Sequence, residues 1–366
     1  MRAKFLKSGM RRRGAACVVA AVAVAVAAGC SSASSGGDSP SGSGSLQPVT
    51  IGVLTGSAVL APVYAAQDRG FFKKYGIDVK VVSSSSFSTP VAGLDSGSVD
   101  IDVVGDLYQQ YEAGVHVVGV VGDADSAKDL NMICNSSVKA QTGSIADKLK
   151  ALMGKKIAFS GVDSPPYYLL LGAFNKYHLS ISDVTVVNVP VGATQFATVE
   201  DGQADCTIGD MNAVAYLTPG GGRYTAFNFG APGVLNPLVS SQIVPWVAKP
   251  SWVDSNKSAV EGFEKAWVAT ISWMEQPKNL SADETYVIDA LGSKSAAPAG
   301  SKLVTETQAV LATVRDLWGT SGAMESYQAD IAAGVLAKPI SGYQASMFVA
   351  PGSPSTTAQA QQLVSG

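Results

Sequence analysis

Two stretches of this chain repeat one another at a fixed offset of 105 residues, and a chain built that way is confined to a fold of two matching units. The matched pairs are Asp78/Asp183, Val79/Val184, Val81/Val186, Val82/Val187, Gly97/Gly202 and Asp100/Asp205, the last two within the phrases LDSGSVDIDVVGD and VEDGQADCTIGD. Chance can produce one such pair; six at one offset argue for duplication. Two copies make a two-lobed molecule, whereas solenoids stack many shorter repeats. Length agrees, because 366 residues at about 150 per domain favour two domains.

Each unit reads as strand, helix, strand, helix, strand. Val49–Leu54 and Ile77–Val82 flank the first helix of one unit, and Lys156–Ser160 and Asp183–Val187 do the same in the other. Strands joined through helices pair in parallel by right-handed crossovers. The apolar runs VTIGVL and KKIAF suit sheets covered on both faces. The expected fold class is therefore α/β: two similar lobes, each a mostly parallel sheet flanked by helices, joined by two hinge crossings near Cys134–Val138 and Val239–Ile243. Lobe one takes 48–133 with 242–350, lobe two takes 134–241, and 351–366 reads as a loose tail. Pro245 places the run Ser241–Ala248 at a sheet edge or crossing. Asp254 or Ser255 is expected to cap a long helix bearing Val260, Phe263, Trp267, Ile271 and Met274. Ser281 and Glu284 suggest a capping box, and 305–318 a further helix.

Ahead of this body, residues 1–29 carry six basic side chains and no acid. The apolar run Ala15–Ala28 is 14 residues long, short of the roughly 20 that span a bilayer and the length of a signal-peptide core. It ends in Ala27-Ala28-Gly29-Cys30. Small residues before a Cys resemble the bacterial lipobox, whose Cys is acylated and becomes the mature N-terminus; Ala27 stands where Leu is usual. An ordinary secretory signal cut near Gly29 is the alternative, and Arg11-Arg12-Arg13 leaves a twin-arginine route open beside the general secretory one. Residues 30–47 are Ser/Gly-rich and read as a lipid-anchored flexible tether. Without the leader, 20 basic residues face 29 acidic ones, a net of −9. That balance leaves no electrostatic footprint for nucleic acid and repels anionic lipid, so attachment to a membrane depends on the acyl chain.

The segment APVYAAQDRGFFKKYGIDV, Ala61–Val79, carries the phrase Gly-Phe-Phe-x-x-x-Gly-Ile-Asp-Val. It resembles the first helix and second strand of the solute-binding proteins that serve ABC importers for nitrate, taurine, aliphatic sulfonates and thiamine-pyrimidine precursors. Leu94–Asp100, Leu152–Ile157 and Ala266–Trp273 extend the resemblance, so that it spans Pro48 to Trp273. It implies a periplasmic-binding-protein type II fold, a small-molecule solute, an ABC importer permease as partner, no cofactor, and a monomer anchored at the extracytoplasmic face of the cell membrane. The phrase itself has structural readings: Phe71 and Phe72 as core, Gly70 as a turn and Gly76 as a helix C-cap.

Ligands of open α/β sheets bind beyond the C-terminal ends of the strands, here in the cleft between the lobes. The loops in that position nominate Ser57, Asp106 and Tyr108 from lobe one, and Ser160, Ser164, Tyr167, Thr194, Asp210 and Asn212 from lobe two. Ser164 before Pro165-Pro166 either caps its helix or joins free amides there in holding a carboxylate, sulfonate or ring acceptor. Asp106 and Asp210, near-equivalent in the two units, either accept hydrogen bonds from ligand N–H groups or cap the helices that follow. Only Arg69, Arg223 and Arg315 follow the leader, and none offers an obvious bidentate clamp for an anion. The balance tilts toward an uncharged or amine-bearing ligand, with stacking from Tyr108, Tyr111 or Tyr167.

His116 and His178 are the only histidines, and no HExxH, CxxC or P-loop spacing occurs, so neither a metal nor a nucleotide site is expected. An enzyme on this scaffold, acting on a pyrimidine-like or small organic substrate, is one alternative; the pyrimidine synthase that resembles the family carries clustered cysteines, and this chain has none. A sensory lipoprotein without a transport role is the other. Cys134 and Cys206 either pair in an oxidising compartment or stay buried as thiols.

Overall fold

The computed structural model describes residues 45–86, 88–162, 164–209, 222–235, 243–292 and 301–365. The leader with Cys30, the tether up to residue 44, and the candidate site residues Asp210 and Asn212 lie outside the described residues.

Ten strands are described: β1 (Gln47–Leu54), β2 (Ile77–Ser84), β3 (Ile101–Val103), β4 (Val118–Asp125), β5 (Asn131–Asn135), β6 (Lys156–Phe159), β7 (Thr185–Asn188), β8 (Cys206–Gly209), β9 (Arg223–Asn228) and β10 (Ile243–Ala248). They form two five-stranded sheets of the same pattern, β2-β1-β3-β10-β4 and β7-β6-β8-β5-β9. The first three strands of each are parallel, and the fourth and fifth run antiparallel to their neighbours. In each sheet the fourth strand is the one that the chain lays down on arriving from the other lobe. The sheets are therefore mixed, with the parallel half coming from the duplicated unit.

The duplicated residues turn out to hold the central strands. Asp100 Oδ2 accepts from the Thr50 amide at 2.7 Å, and Asp205 Oδ2 accepts from the Lys156 amide at 2.8 Å. The backbone N–H groups of Asp100 and Asp205 donate back to the carbonyls of Thr50 and Lys156. Gly97 and Gly202 precede these clamps in the left-handed region, at φ 71° and 69°. At the helix ends before β2 and β7 the copies differ: Gly76 takes φ 84°, whereas His178 takes φ 55° and is the one non-glycine with positive φ among the described residues. An L-residue there gives up about 1 kcal/mol, so the second lobe carries a small strain that the first avoids.

The first crossing runs from Asp125 at the end of β4 through the short helix Ser126–Asp129 to Asn131 at the start of β5, several residues ahead of the expected Cys134–Val138. The second leads into β10 and, up to residue 242, lies outside the described residues. Strand β10 sits inside its sheet, between β3 and β4, and is no edge. Its register against β4 shifts between Val244 and Pro245, and that irregularity absorbs the missing proline N–H. The expected long helix is Lys257–Met274, but Asn256 stands at its N-terminus, and Asp254 and Ser255 belong to the short helix Pro250–Ser255 before it. Ser281 and Glu284 fall inside the helix Leu280–Ala290, whose first turn has no side-chain cap. The helix expected over 305–318 is Ser301–Leu311.

Lobe one packs Trp246, Phe263 and Trp267 against one another at centroid separations of 5.2–6.3 Å, with Phe72 stacked on Phe263. The family phrase thus closes a helix onto its sheet, as its structural reading requires. Lobe two is built around Phe159, Leu170, Phe174 and Phe229. Its sheet carries a disulfide between Cys134 and Cys206, directly opposed on β5 and β8. Two C-terminal elements depart from expectation. Residues Thr357–Ser365 form a helix that buries Ala360 against the helix Lys257–Met274, in place of a loose tail. The helix Gly319–Ala333 belongs to both lobes: Ala323 and Tyr327 enter the core of the first, and Ala329 and Ala333 that of the second. There Asn175 Nδ2 of lobe two donates to the Ala333 carbonyl at 2.8 Å.

Candidate interlobe ligand site

The C-terminal ends of the parallel strands of both sheets face each other across the cleft, and the loops that follow them touch. The Val191 amide of lobe two donates to the Ser85 carbonyl of lobe one at 3.2 Å. Beside it, Gly56 and Gly192 pass backbone to backbone. A Cβ on Gly56 would lie 3.0 Å from the Gly192 Cα, and one on Gly192 would lie 3.2 Å from the Gly56 Cα. Both glycines also hold positive φ, 94° and 93°. This is a closed arrangement, made possible by two residues without side chains.

Closure leaves a cavity of about 60 Å³, room for roughly five waters or a compact solute of that size. Its walls are mainly apolar: Leu54, Leu60 and Val103 from lobe one, and Pro166, Val191 and Ile208 from lobe two. The polar groups that reach it are Ser57, Asp123, Ser126, Asp129, Ser160 and Gln195, and no Lys, Arg, His or Cys lines it among the described residues. Gln195 is fixed by accepting from the Gly192 amide at 3.2 Å. Ser57 heads the turn Ala58–Leu60 without capping it.

Two of these groups stand out. Asp123 on β4 is 2% exposed, and its Oδ1 has no hydrogen-bond partner. Burial pushes its carboxyl well above the usual range, and repulsion from Asp102 adds to the rise. The Trp246 indole N–H acts against it from β10 without reaching hydrogen-bond geometry, for Nε1 is itself unpartnered. Asp102 occupies space that only Gly52 leaves free, since a Cβ there would lie 1.8 Å from its Oδ2. Burial raises Asp102 to about 7, against the pull of the Val103 amide. Across the cavity, the buried Ser160 Oγ, just past β6, is likewise unpartnered. A buried polar atom with no partner costs about 1–3 kcal/mol, and one stands on each wall of this shared cavity, which makes it the candidate ligand site. Asp125, two residues along from Asp123, is instead held by Lys128 at 2.9 Å and Arg315 at 3.3 Å.

Of the residues nominated from sequence, the structure brings Ser57 and Ser160 to the cavity. Asp106 is not there: it caps the helix Leu107–Glu112, accepting from the amides of Tyr108 and Gln109 at 2.9 and 2.8 Å. Tyr108 is fully buried among Tyr327, Tyr343 and Phe348 in lobe one, its hydroxyl donating to the Ala323 carbonyl. Ser164 is buried with Oγ donating to the Gly161 carbonyl at 2.6 Å, so it neither caps nor faces the cavity. Tyr167 packs edge-on against Phe159, and Thr194 is exposed beside Gln195. The helix terminus behind Ser164 does reach the cavity, but through Pro165 and Pro166, which have no N–H. The amides of Tyr167 and Tyr168 already donate to the Ser164 carbonyl. The first four helical residues, Pro165 to Tyr168, therefore offer no free N–H to an anion. Sequence reasoning passed over Asp123, Asp129 and Gln195. The signal for Asp123 was the ending GDAD on an apolar strand, acids placed where a sheet meets its cleft.

A two-lobed α/β molecule with mixed sheets, paired crossings and a cavity at the strand ends is a periplasmic-binding-protein type II fold. Residues 57–279 match the family model described as NMT1/THI5 like, and the chain belongs to that family. Solved structures with the same fold include the alkanesulfonate-binding protein SsuA of Xanthomonas axonopodis pv. citri, bound to MOPS, at 16% identity and TM-score 0.62 over 81% of this chain and 96% of that one. The periplasmic aliphatic sulphonate binding protein SsuA of Escherichia coli matches at 16% and 0.60, over 84% and 98% of the two chains. The periplasmic nitrate-binding protein NrtA of Synechocystis PCC 6803 matches at 17% and 0.54, over 68% and 66%. Comparison with curated protein sequences finds no match.

Proposed function

We propose that this protein is an extracytoplasmic solute-binding protein that closes its lobes on a small organic solute and delivers it to an ABC importer. The observation that carries the reading is the interlobe cavity into which each lobe sends an unpartnered buried polar atom, Asp123 Oδ1 and Ser160 Oγ. Bending at the crossings opens the cleft, the solute enters, and apposition of Gly56 and Gly192 excludes water around it. Ser57 and Gln195 add polar contacts on either side. The sulfonate- and nitrate-binding structures that share the fold support the assignment. Gly192→Val tests closure. Its side chain would meet Gly56, so affinity for solute should fall about 100-fold, consistent with 2–3 kcal/mol of lost closed-state contact, while ligand-free lobes remain folded. Loaded wild-type protein should stimulate ATP hydrolysis by the cognate importer in vesicles and the variant should not; chemical turnover of the solute would replace this reading with an enzyme.

We further propose that Cys30 carries the acyl chain that holds the body at the membrane, supported by the small residues before it and the Ser/Gly tether after it. Cys30→Ala should move the protein from the membrane fraction to the medium, and a variant still bound to membrane would remove the anchor from the account.

A further inference from the structure

Granting the solute-binding reading above, we propose that the solute is a compact organic cation, a protonated primary amine on a small apolar body, received by Asp123 from one lobe and Ser160 from the other. Four observations converge on that chemistry. The unpartnered Asp123 Oδ1 is an acceptor in want of a donor, and it faces the cavity from the middle of lobe one. Ser160 Oγ, which can accept as well as donate, waits on the opposite wall. No cationic side chain lines the cavity among the described residues. The helix terminus that would serve an anion presents Pro165 and Pro166 instead of amides. An anion would meet two carboxyls, Asp123 and Asp129, with no cationic side chain among the described residues to offset them; an ammonium group meets acceptors on both walls, with Leu54, Leu60, Val103 and Ile208 for its carbon body.

The charge balance can be followed atom by atom. Asp102 on β3 and the Trp246 indole on β10 act directly on Asp123, the first against its ionisation and the second for it. Nearby, Asp125 is committed to Lys128 and Arg315, and Asp129 adds a further carboxyl to the cavity wall. Burial and the neighbouring Asp102 thus favour the protonated form of Asp123 in the empty site. When an alkylammonium enters, Asp123 gives that proton to solvent, its carboxylate pairs with the ammonium, and the net charge of the cavity is unchanged. Binding releases one proton, and affinity rises with pH.

The test uses the full chain with matched probes: propyl-, butyl- and pentylammonium, the corresponding alkanols, the corresponding alkanesulfonates, and nitrate. At millimolar concentration at least one alkylammonium should raise the melting temperature by about 5 °C, with proton release seen as a buffer-dependent calorimetric heat; its sulfonate should not. Asp123→Asn, which keeps the shape of the side chain, should weaken amine binding about 10- to 150-fold and abolish proton release while the ligand-free protein melts cooperatively. Ser160→Ala should weaken it several-fold. Binding of sulfonate or nitrate in preference to amine overturns the cation assignment and leaves the solute-binding reading standing. So does a co-purified anionic or neutral solute in native mass spectrometry. Failure of every alkylammonium to bind, or amine binding that survives intact in Asp123→Asn, overturns it too. Absence of any co-purified or probe ligand together with no effect on the importer would instead overturn the solute-binding reading.

Discussion

Replacing Cys134 and Cys206 together by alanine is expected to lower stability by about 4 kcal/mol, which moves the melting midpoint down by roughly 6 °C. The bridge closes a loop with a sequence separation of 72 residues. On the chain-entropy account, a constraint of that span removes freedom from the unfolded chain in proportion to the logarithm of its length. Both side chains are fully buried, and the bond ties β5, which has just crossed from lobe one, to β8 of the duplicated unit. Urea melts of the double variant, and of wild type under reducing conditions, should agree. A loss below about 1 kcal/mol would show that the unfolded chain is already compact across this loop.

Glu264→Gln should produce the second large effect, confined to one pH window. Glu264 lies in the helix Lys257–Met274, 1% exposed, with Oε1 unpartnered. Burial, reinforced by Glu261, raises it from 4.5 to about 9. Its folded value lies above its unfolded one, so the folded protein keeps a proton that the unfolded chain releases from about pH 4.5 upward. Stability from this group is whole below pH 4.5 and is lost progressively as pH climbs to about 9. The slope is about 1.4 kcal/mol per pH unit, or about 3 kcal/mol by pH 7. Glutamine carries no charge in either state and removes that slope. Variant and wild type should therefore match near pH 4 and diverge to about 3 kcal/mol in favour of the variant at pH 7. Asp102 and Asp283, each raised to about 7 by burial, contribute equally to both proteins and cancel in the difference. Parallel curves across the range would place the Glu264 proton transition outside it.

The duplication made the two matching lobes legible because Asp100, Asp205, Gly97 and Gly202 are local devices: each acts on backbone that its own unit supplies. Phe72 was legible for the same reason, an aromatic next to a turn glycine at a helix start. The candidate site was legible only in part. Ser57 and Ser160 follow strands directly, so their position depends on one strand each. Tyr108 is placed identically in sequence, yet the helix Gly319–Ala333, two hundred residues later, covers it and makes it core. Asp123 reads as the end of an apolar strand. Its role depends on β10, which returns from lobe two and brings Trp246 beside it. Long-range insertion of one strand into a sheet leaves no local trace in composition or period.

The helix Gly319–Ala333 has a mechanical consequence. Two rigid plates joined only by short connections can rock and can also twist about the line between them. A stiff rod whose two halves are embedded in different plates takes the torsion away. Because Ala323 and Tyr327 are fastened in one core and Ala329 and Ala333 in the other, the remaining freedom is rotation about an axis near that rod. The jaws can then swing apart and return along a single track, so Gly56 meets Gly192 in the same register at every stroke.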